Sequence, residues 1–126
     1  MRKSPKRLLA SRRQHLAEEF LGRYRSNRES YPAVSLTADG TALTCIANDF
    51  GYEEVFKRQL EGLGREGDVL MALSTSGNSE NLVRAATYAR SIGMGVISFT
   101  GMGGKLAELA DIAVRAPSPN AARVQE

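Results

Sequence analysis

The chain has 126 residues, 42% of them apolar and 25% charged, enough for one domain with a core of its own and too few for two. Its single cysteine, Cys45, excludes an internal disulfide and a cysteine metal cluster, and no apolar run reaches the length of a membrane span. The net charge of +3 comes from the first thirteen residues, where Arg2, Lys3, Lys6, Arg7, Arg12 and Arg13 meet no acidic residue; residues 14–126 hold eleven basic and fourteen acidic side chains.

A basic arm can touch nucleic acid, but no aromatic or Gly-rich pattern accompanies this one. A solvated leader is the favoured reading, and neither nucleic acid nor membrane is an expected partner. The apolar stretch Leu8, Leu9, Ala10 is too short for a signal peptide, so the expected compartment is the cytoplasm.

In chain order, residues 1–7 read as unstructured, with Pro5 inside a charge run. Residues 8–24 read as a helix, because Leu9, Leu16, Phe20 and Tyr24 recur at spacings of seven, four and four on one stripe. His15 and Glu19 lie one turn apart on the edge of that stripe. A polar connection over residues 27–32 leads to a short strand at 33–36, a turn at 38–40 and a short apolar helix at 41–47. Residues 48–51 read as a small polar loop and 52–63 as a helix with Val55, Phe56, Gln59, Leu60 and Leu63 on one face. After a turn at 64–67 comes a buried strand starting at Asp68, then a loop of hydroxyls over 74–79 and a helix over 79–92 closed by Gly93. A strand at 95–100, a loop at 101–104, a short helix at 105–110 and a strand at 111–115 follow. Residues 116–120 end regular structure, and 121–126 are the start of a further helix.

Strands near 33, 69, 95 and 112 alternate with helices and show no hairpin signals. That pattern predicts an α/β fold, a doubly wound parallel sheet with helices on both faces. In such folds ligands sit beyond the carboxyl ends of the strands, where the 74–79 loop leaves its strand.

Three constellations stand against plainer alternatives. Ser74, Thr75, Ser76 and Ser79 surround a Gly77-Asn78 bend before a helix N-terminus, where free amides and the helix dipole can hold a phosphate. The plainer reading is a tight turn in which Asn78 or Ser79 only caps the helix. His15 and Glu19 can share a metal ion, or Glu19 can move a proton; the plainer reading is a surface pair. Asn48 and Asp49 can hydrogen-bond sugar hydroxyls or simply form a turn. Cys45 reads as a packed residue without chemistry.

Taken in order, His15-Leu-Ala-Glu-Glu19-Phe-Leu-Gly-Arg-Tyr, Tyr31-Pro-Ala, Ile46-Ala-Asn-Asp-Phe-Gly51, Gly64-Arg-Glu-Gly-Asp68 and Ser74-Thr-Ser-Gly-Asn-Ser79 resemble the sedoheptulose-7-phosphate isomerases (phosphoheptose isomerases) of the sugar-isomerase (SIS) domain superfamily. The resemblance runs from about Gln14 to Glu126. It implies an incomplete SIS-domain-like fold and aldose–ketose isomerisation of sedoheptulose 7-phosphate to a heptose 7-phosphate through an enediol, toward the heptose of bacterial surface glycans. It further implies that Ser74, Thr75, Ser76 and Ser79 bind the phosphate and that Asn48 and Asp49 bind the sugar. Glu19 would then be the catalytic proton carrier, and His15, Glu19 and Gln125 zinc ligands, Gln125 also touching substrate. A homotetramer is the implied assembly.

The motif also departs from the family. An Asn-Gly-Gly-Ser loop that follows the family's first strand has no counterpart among residues 6–13, and a C-terminal His that ligates zinc and acts in acid–base catalysis is missing, His15 being the only histidine. The expected organisation is therefore a basic leader over 1–13, disordered or foreign to the family, and a partial SIS-like domain over 14–126, lacking one sheet strand, one substrate loop and one catalytic residue. The expected isolated chain is marginally stable and weakly active or inactive. Two further readings stand beside the enzyme: a non-catalytic phosphosugar-binding or protein-interaction module, disfavoured because Glu19 is retained, and a truncated or mis-started gene product.

Overall fold

The computed structural model describes residues 6–11 and 14–117. Five strands, β1 (Leu8–Ala10), β2 (Ala33–Ser35), β3 (Val69–Ser74), β4 (Gly95–Thr100) and β5 (Ile112–Arg115), form one sheet in the order β2-β1-β3-β4-β5, parallel at every pairing. The helices are α1 (Gln14–Leu21), α2 (Gly40–Phe50), α3 (Val55–Leu63), α4 (Glu80–Ser91) and α5 (Lys105–Leu109), with a 3₁₀ turn over Tyr52–Glu54 before α3. This is the doubly wound α/β fold expected from the strand–helix alternation.

The step from β1 to β2 runs opposite to the three later steps. Right-handed crossovers therefore put α1 on one face of the sheet and α2 to α5 on the other. The main core lies on the second face, where Leu9, Leu70, Ala72 and Val96 meet Val55, Phe56, Leu60, Leu82, Ala85, Ala86 and Leu106. Small alanines along α4 let it lie close to the strands. On the first face Ala17 of α1 is buried together with Ala10 and Ala33. Beyond α1 that face is more open: Leu73, Ile97 and Phe99 are half-buried, and Ile112 and Val114 are exposed.

Three expectations are corrected. Leu8–Ala10 is not the start of a helix or part of a loose leader but a strand, paired with β2 on one side and β3 on the other; the sheet is not short of that strand, and the ordered domain does not begin at residue 14. A three-residue apolar run carries no period, so the choice between helix and strand was made by the two open edges it joins. Leu9 and Ala10 are fully buried there. The helix that follows is only eight residues long and stops at Leu21. Asn48 and Asp49 are not in a loop: they close α2, whose end is set by Gly51 at φ +95° with its N–H donating to the Ala47 carbonyl.

The leader is also not wholly solvated. Arg7 donates from its guanidinium to Asp68 at 2.8 Å and to the Leu63 carbonyl, and its backbone N–H donates to the same carboxylate at 3.0 Å. Asp68, whose side chain is 4% exposed, also accepts the Arg65 N–H at 3.0 Å. Burial pushes the Asp68 carboxyl up, but the Arg7 guanidinium and the amides of Arg7 and Arg65 outweigh it and hold it below its ordinary value.

Candidate functional site

The strand order reverses between β1 and β3, and a crevice opens beyond the carboxyl ends of strands at such a switch point. β3 ends there in the 74–79 loop, and α4 begins directly after it. The buried Ser74 hydroxyl accepts the Gly77 N–H at 3.1 Å and lies 3.2 Å from the Ser79 hydroxyl. Ser76 accepts the Asn78 N–H at 3.2 Å. Ser79 occupies the N-cap position of α4, yet its side chain makes no cap bond, so the plainer capping reading fails for it. Asn78 instead caps α5, accepting the Lys105 N–H at 3.1 Å. Leu82 and Val83 in the first turn of α4 already donate to the Ser79 carbonyl, which leaves the amides of Glu80 and Asn81 as the helix's open donors. Hydroxyls, amides and a helix dipole there can hold an anion without a cation.

Glycines fix the loop's shape. Gly77 sits at φ +70°, and a Cβ there would lie 2.1 Å from the Gly103 carbonyl oxygen; Gly104, at φ +100°, would meet the Ser76 carbonyl at 2.7 Å. The Gly77 carbonyl accepts the Leu106 N–H at 2.9 Å, and the Thr75 carbonyl accepts the Gly101 N–H at 3.0 Å. The 74–79 and 101–104 loops are thus one interlocked unit at the ends of β3 and β4.

β1 reaches the same end of the sheet at Ser11, whose N–H donates to the Met71 carbonyl and whose hydroxyl accepts the Leu73 N–H at 3.2 Å. From there α1 carries His15 and Glu19. His15 Nε2 is 3.2 Å from Glu19 Oε1, and Nδ1 is 3.8 Å from Glu18 Oε2. His15 is 81% exposed and Glu19 30%, so the histidine stands in solvent while the carboxylate is partly shielded. Arg28 holds the Glu19 backbone carbonyl at 2.5 Å, fixing the helix end from which that carboxylate projects. Asn48 donates to Asp49 at 3.0 Å, and the exposed Cys45 thiol lies 3.6 Å from the other Asp49 oxygen; the thiol is not packed away as expected. Gln125 lies outside the described residues.

The structure therefore brings Ser74, Ser76 and Ser79 into one loop with Thr75, pairs His15 with Glu19, and pairs Asn48 with Asp49. Sequence reasoning missed Ser11, the cap role of Asn78 and the burial of Asn81. The only available signal for Asn81 was its place two residues into a helix beside the loop, which does not by itself tell a buried side chain from an exposed one.

Comparison with known proteins agrees with this architecture. Residues 10–101 match the SIS domain family. The phosphoheptose isomerase of Glaesserella parasuis serovar 5 is 53% identical over 114 residues, and that of Edwardsiella ictaluri 54%. Each alignment covers 89% of this chain but only 59% and 58% of the relative, so the chain spans under two thirds of the curated relatives it matches. The structure of a phosphoheptose isomerase from Francisella tularensis superposes with a TM-score of 0.87 at 34% identity, covering 96% of this chain and 69% of that one. The enzyme from Neisseria gonorrhoeae gives 0.87 at 40%, covering 95% and 68%. The chain belongs to the SIS domain family, on its phosphoheptose isomerase branch.

Proposed function

We propose that the chain carries the phosphosugar site of an aldose–ketose isomerase that converts sedoheptulose 7-phosphate to D-glycero-D-manno-heptose 7-phosphate. The observation that carries this reading is the 74–79 loop, with Ser74 and Ser79 hydroxyls 3.2 Å apart at the N-terminus of α4 and close relatives named as phosphoheptose isomerases. In this reading Ser74, Thr75, Ser76 and Ser79 hold the phosphate, and Asn48 and Asp49 hydrogen-bond the sugar. Glu19 takes the proton from C1 of the ketose and returns it to C2 of the enediol, a transfer suited to a partly desolvated carboxylate, while the C2 oxygen gains a proton as the enediol forms and the C1 hydroxyl gives one up as the aldose forms. Glu19, retained here, favours the enzyme over a non-catalytic phosphosugar-binding or protein-interaction module.

Zinc, implied by the family resemblance, would draw on His15, Glu19 and Gln125. Among the described residues no group of three His, Cys, Asp or Glu could hold a metal ion, and Glu18 and Glu19 lie against different ring nitrogens of His15. Two donors do not make the four-coordinate site zinc takes. The described residues do not fit the ion by themselves, and no step is derived through it. Assembly as a homotetramer and a cytoplasmic location complete the proposal; no helix among the described residues is long and apolar enough to cross a membrane.

Calorimetric titration with sedoheptulose 7-phosphate tests the reading. Saturable binding is expected, weakened about tenfold by Ser74→Ala, the scale of one lost hydrogen bond to a charged group. Glu19→Gln should leave binding in place and remove turnover. Absence of saturable binding, with and without added zinc, sinks the proposal.

A further inference from the structure

α1 is eight residues long, and Ala17 is its one buried residue. A helix this short is marginal without outside support, and α1 has no basic side chain in its last turn to meet the helix dipole. Glu19 stands third from its end, so fraying of that turn carries the carboxylate with it. The support comes from the segment that follows. The Arg28 guanidinium donates through one nitrogen to the Glu19 carbonyl at 2.5 Å. Through another it donates to the carbonyls of Phe20 at 3.0 Å and Glu29 at 2.8 Å. The Tyr31 N–H donates to the Phe20 carbonyl at 3.0 Å, and the Gly22 N–H to the Glu18 carbonyl at 2.7 Å. A helix end leaves its last carbonyls open; here those of Glu18, Glu19 and Phe20 are all met.

The guanidinium is itself held in place. It lies over the Tyr31 ring, 4.6 Å from the centroid, a cation–π contact that leaves its fork free to donate. The next residue, Pro32, gives its carbonyl to the Leu8 N–H of β1, and Ala33 pairs with Leu8 as β2 begins. One continuous run thus leads from the sheet through Tyr31 and Arg28 to the helical turn that bears Glu19. The hydrogen bonds of Arg28 go to backbone carbonyls, so it can place the Glu19 carboxylate without pairing with it. That side chain is 30% exposed, a partial shielding it keeps only while the last turn stays wound.

We propose that Arg28 is a positioning residue for proton transfer: its guanidinium, seated on Tyr31, is the C-terminal cap of α1 and fixes the turn from which Glu19 reaches the substrate. A misplacement of about 1 Å in a reacting group can cost about a hundredfold in rate, so a cap remote from the phosphate loop can govern turnover without governing binding. The proposal rests on the reading of Glu19 as the proton carrier given above.

Turnover of sedoheptulose 7-phosphate by the full chain is followed in D2O by NMR, as deuterium entering the sugar, and binding by calorimetric titration, for wild type, Arg28→Ala and Arg28→Lys. In Arg28→Ala, kcat should fall about tenfold to a hundredfold with Kd within twofold of wild type, and millimolar guanidinium ion should restore part of kcat. An unchanged kcat overturns the proposal. So does a loss of kcat matched by an equal loss of affinity with no recovery in guanidinium, which marks a merely structural role. Should Arg28→Ala fold poorly, Arg28→Lys keeps the charge but not the planar fork; its kcat should fall several-fold at unchanged Kd, and a kcat equal to wild type overturns the proposal. A wild-type chain that binds the sugar phosphate yet takes up no deuterium overturns the role of Glu19 and this inference together, and one that binds nothing overturns the phosphosugar reading itself.

Discussion

At the scale of single residues, the Arg7–Asp68 pair ties the basic N-terminal stretch to the sheet. A buried carboxylate that loses its cationic partner or its charge is destabilising, because the remaining hydrogen-bond donors stay desolvated. Asp68→Asn is expected to lower the unfolding free energy by about 2–3 kcal/mol, read by urea denaturation at pH 7. The pH dependence follows from the lowered pKa of Asp68. A carboxyl titrating lower when folded than its unfolded value of about 3.9 adds its full stability above that value. The contribution is lost as pH falls through the folded pKa. The gap between wild type and Asp68→Asn should therefore be constant from neutral pH to about pH 5 and close below about pH 4. Asp111 is held low mainly by the Val96 N–H, which it accepts at 2.7 Å, with help from Arg90 against a smaller burial penalty. It clips the start of β4 to the approach to β5 by the same chemistry.

At the scale of elements, the site depends on two loops that pack backbone against backbone. Gly77→Ala places a methyl 2.1 Å from the Gly103 carbonyl oxygen in a left-handed conformation, and neither loop can yield without disturbing the other. It is expected to destabilise the chain by about 2–3 kcal/mol, the sum of a left-handed Cβ penalty and overpacking. Amide shifts should concentrate in residues 74–82 and 100–107, and phosphate binding should be lost. Gly40→Ala is the control: a Cβ there meets nothing within 4 Å and its φ is not positive, so at the start of α2 it should be neutral or stabilising by up to about 1 kcal/mol. Thermal melts of the two variants should move in different directions.

At the scale of the molecule, β1 is the joint of the sheet. Leu8 donates to the Pro32 carbonyl, the Arg7 carbonyl accepts the Val69 N–H, and the Ala10 carbonyl accepts the Leu36 N–H. Without β1, β2 has no neighbour, and both α1 and the crevice beside β3 lose their support. A chain beginning at residue 12 is expected not to fold cooperatively, and in the full chain the amides of Leu9 and Leu70 should be among the slowest to exchange, since local opening there is nearly global unfolding. Leu9→Ala should remove about 2–4 kcal/mol by leaving a cavity at a fully buried position. Ordinary stability for the chain starting at residue 12 would show that β1 is dispensable and that the domain does begin near residue 14.

The strand–helix order from residue 33 onward was legible in the sequence, because helix periodicity, the Gly93 stop and the apolar run of β3 are local signals that neighbours reinforce. The hydroxyl loop of 74–79 was legible for the same reason, its residues being contiguous. Leu8, Leu9 and Ala10 were not legible, since three apolar residues fit a helix stripe or a strand equally and only two waiting sheet edges settle the matter. Asn48 and Asp49 looked like turn residues, but the helix before them continues until Gly51. Asn81 could not be read at all: burial without a partner is a property of what surrounds a side chain. Local chemistry thus determined which segments exist and where an anion could sit, while the tertiary structure decided which strand joins the halves of the sheet and which polar groups are left buried without a partner, because those depend on contacts between segments distant in the chain.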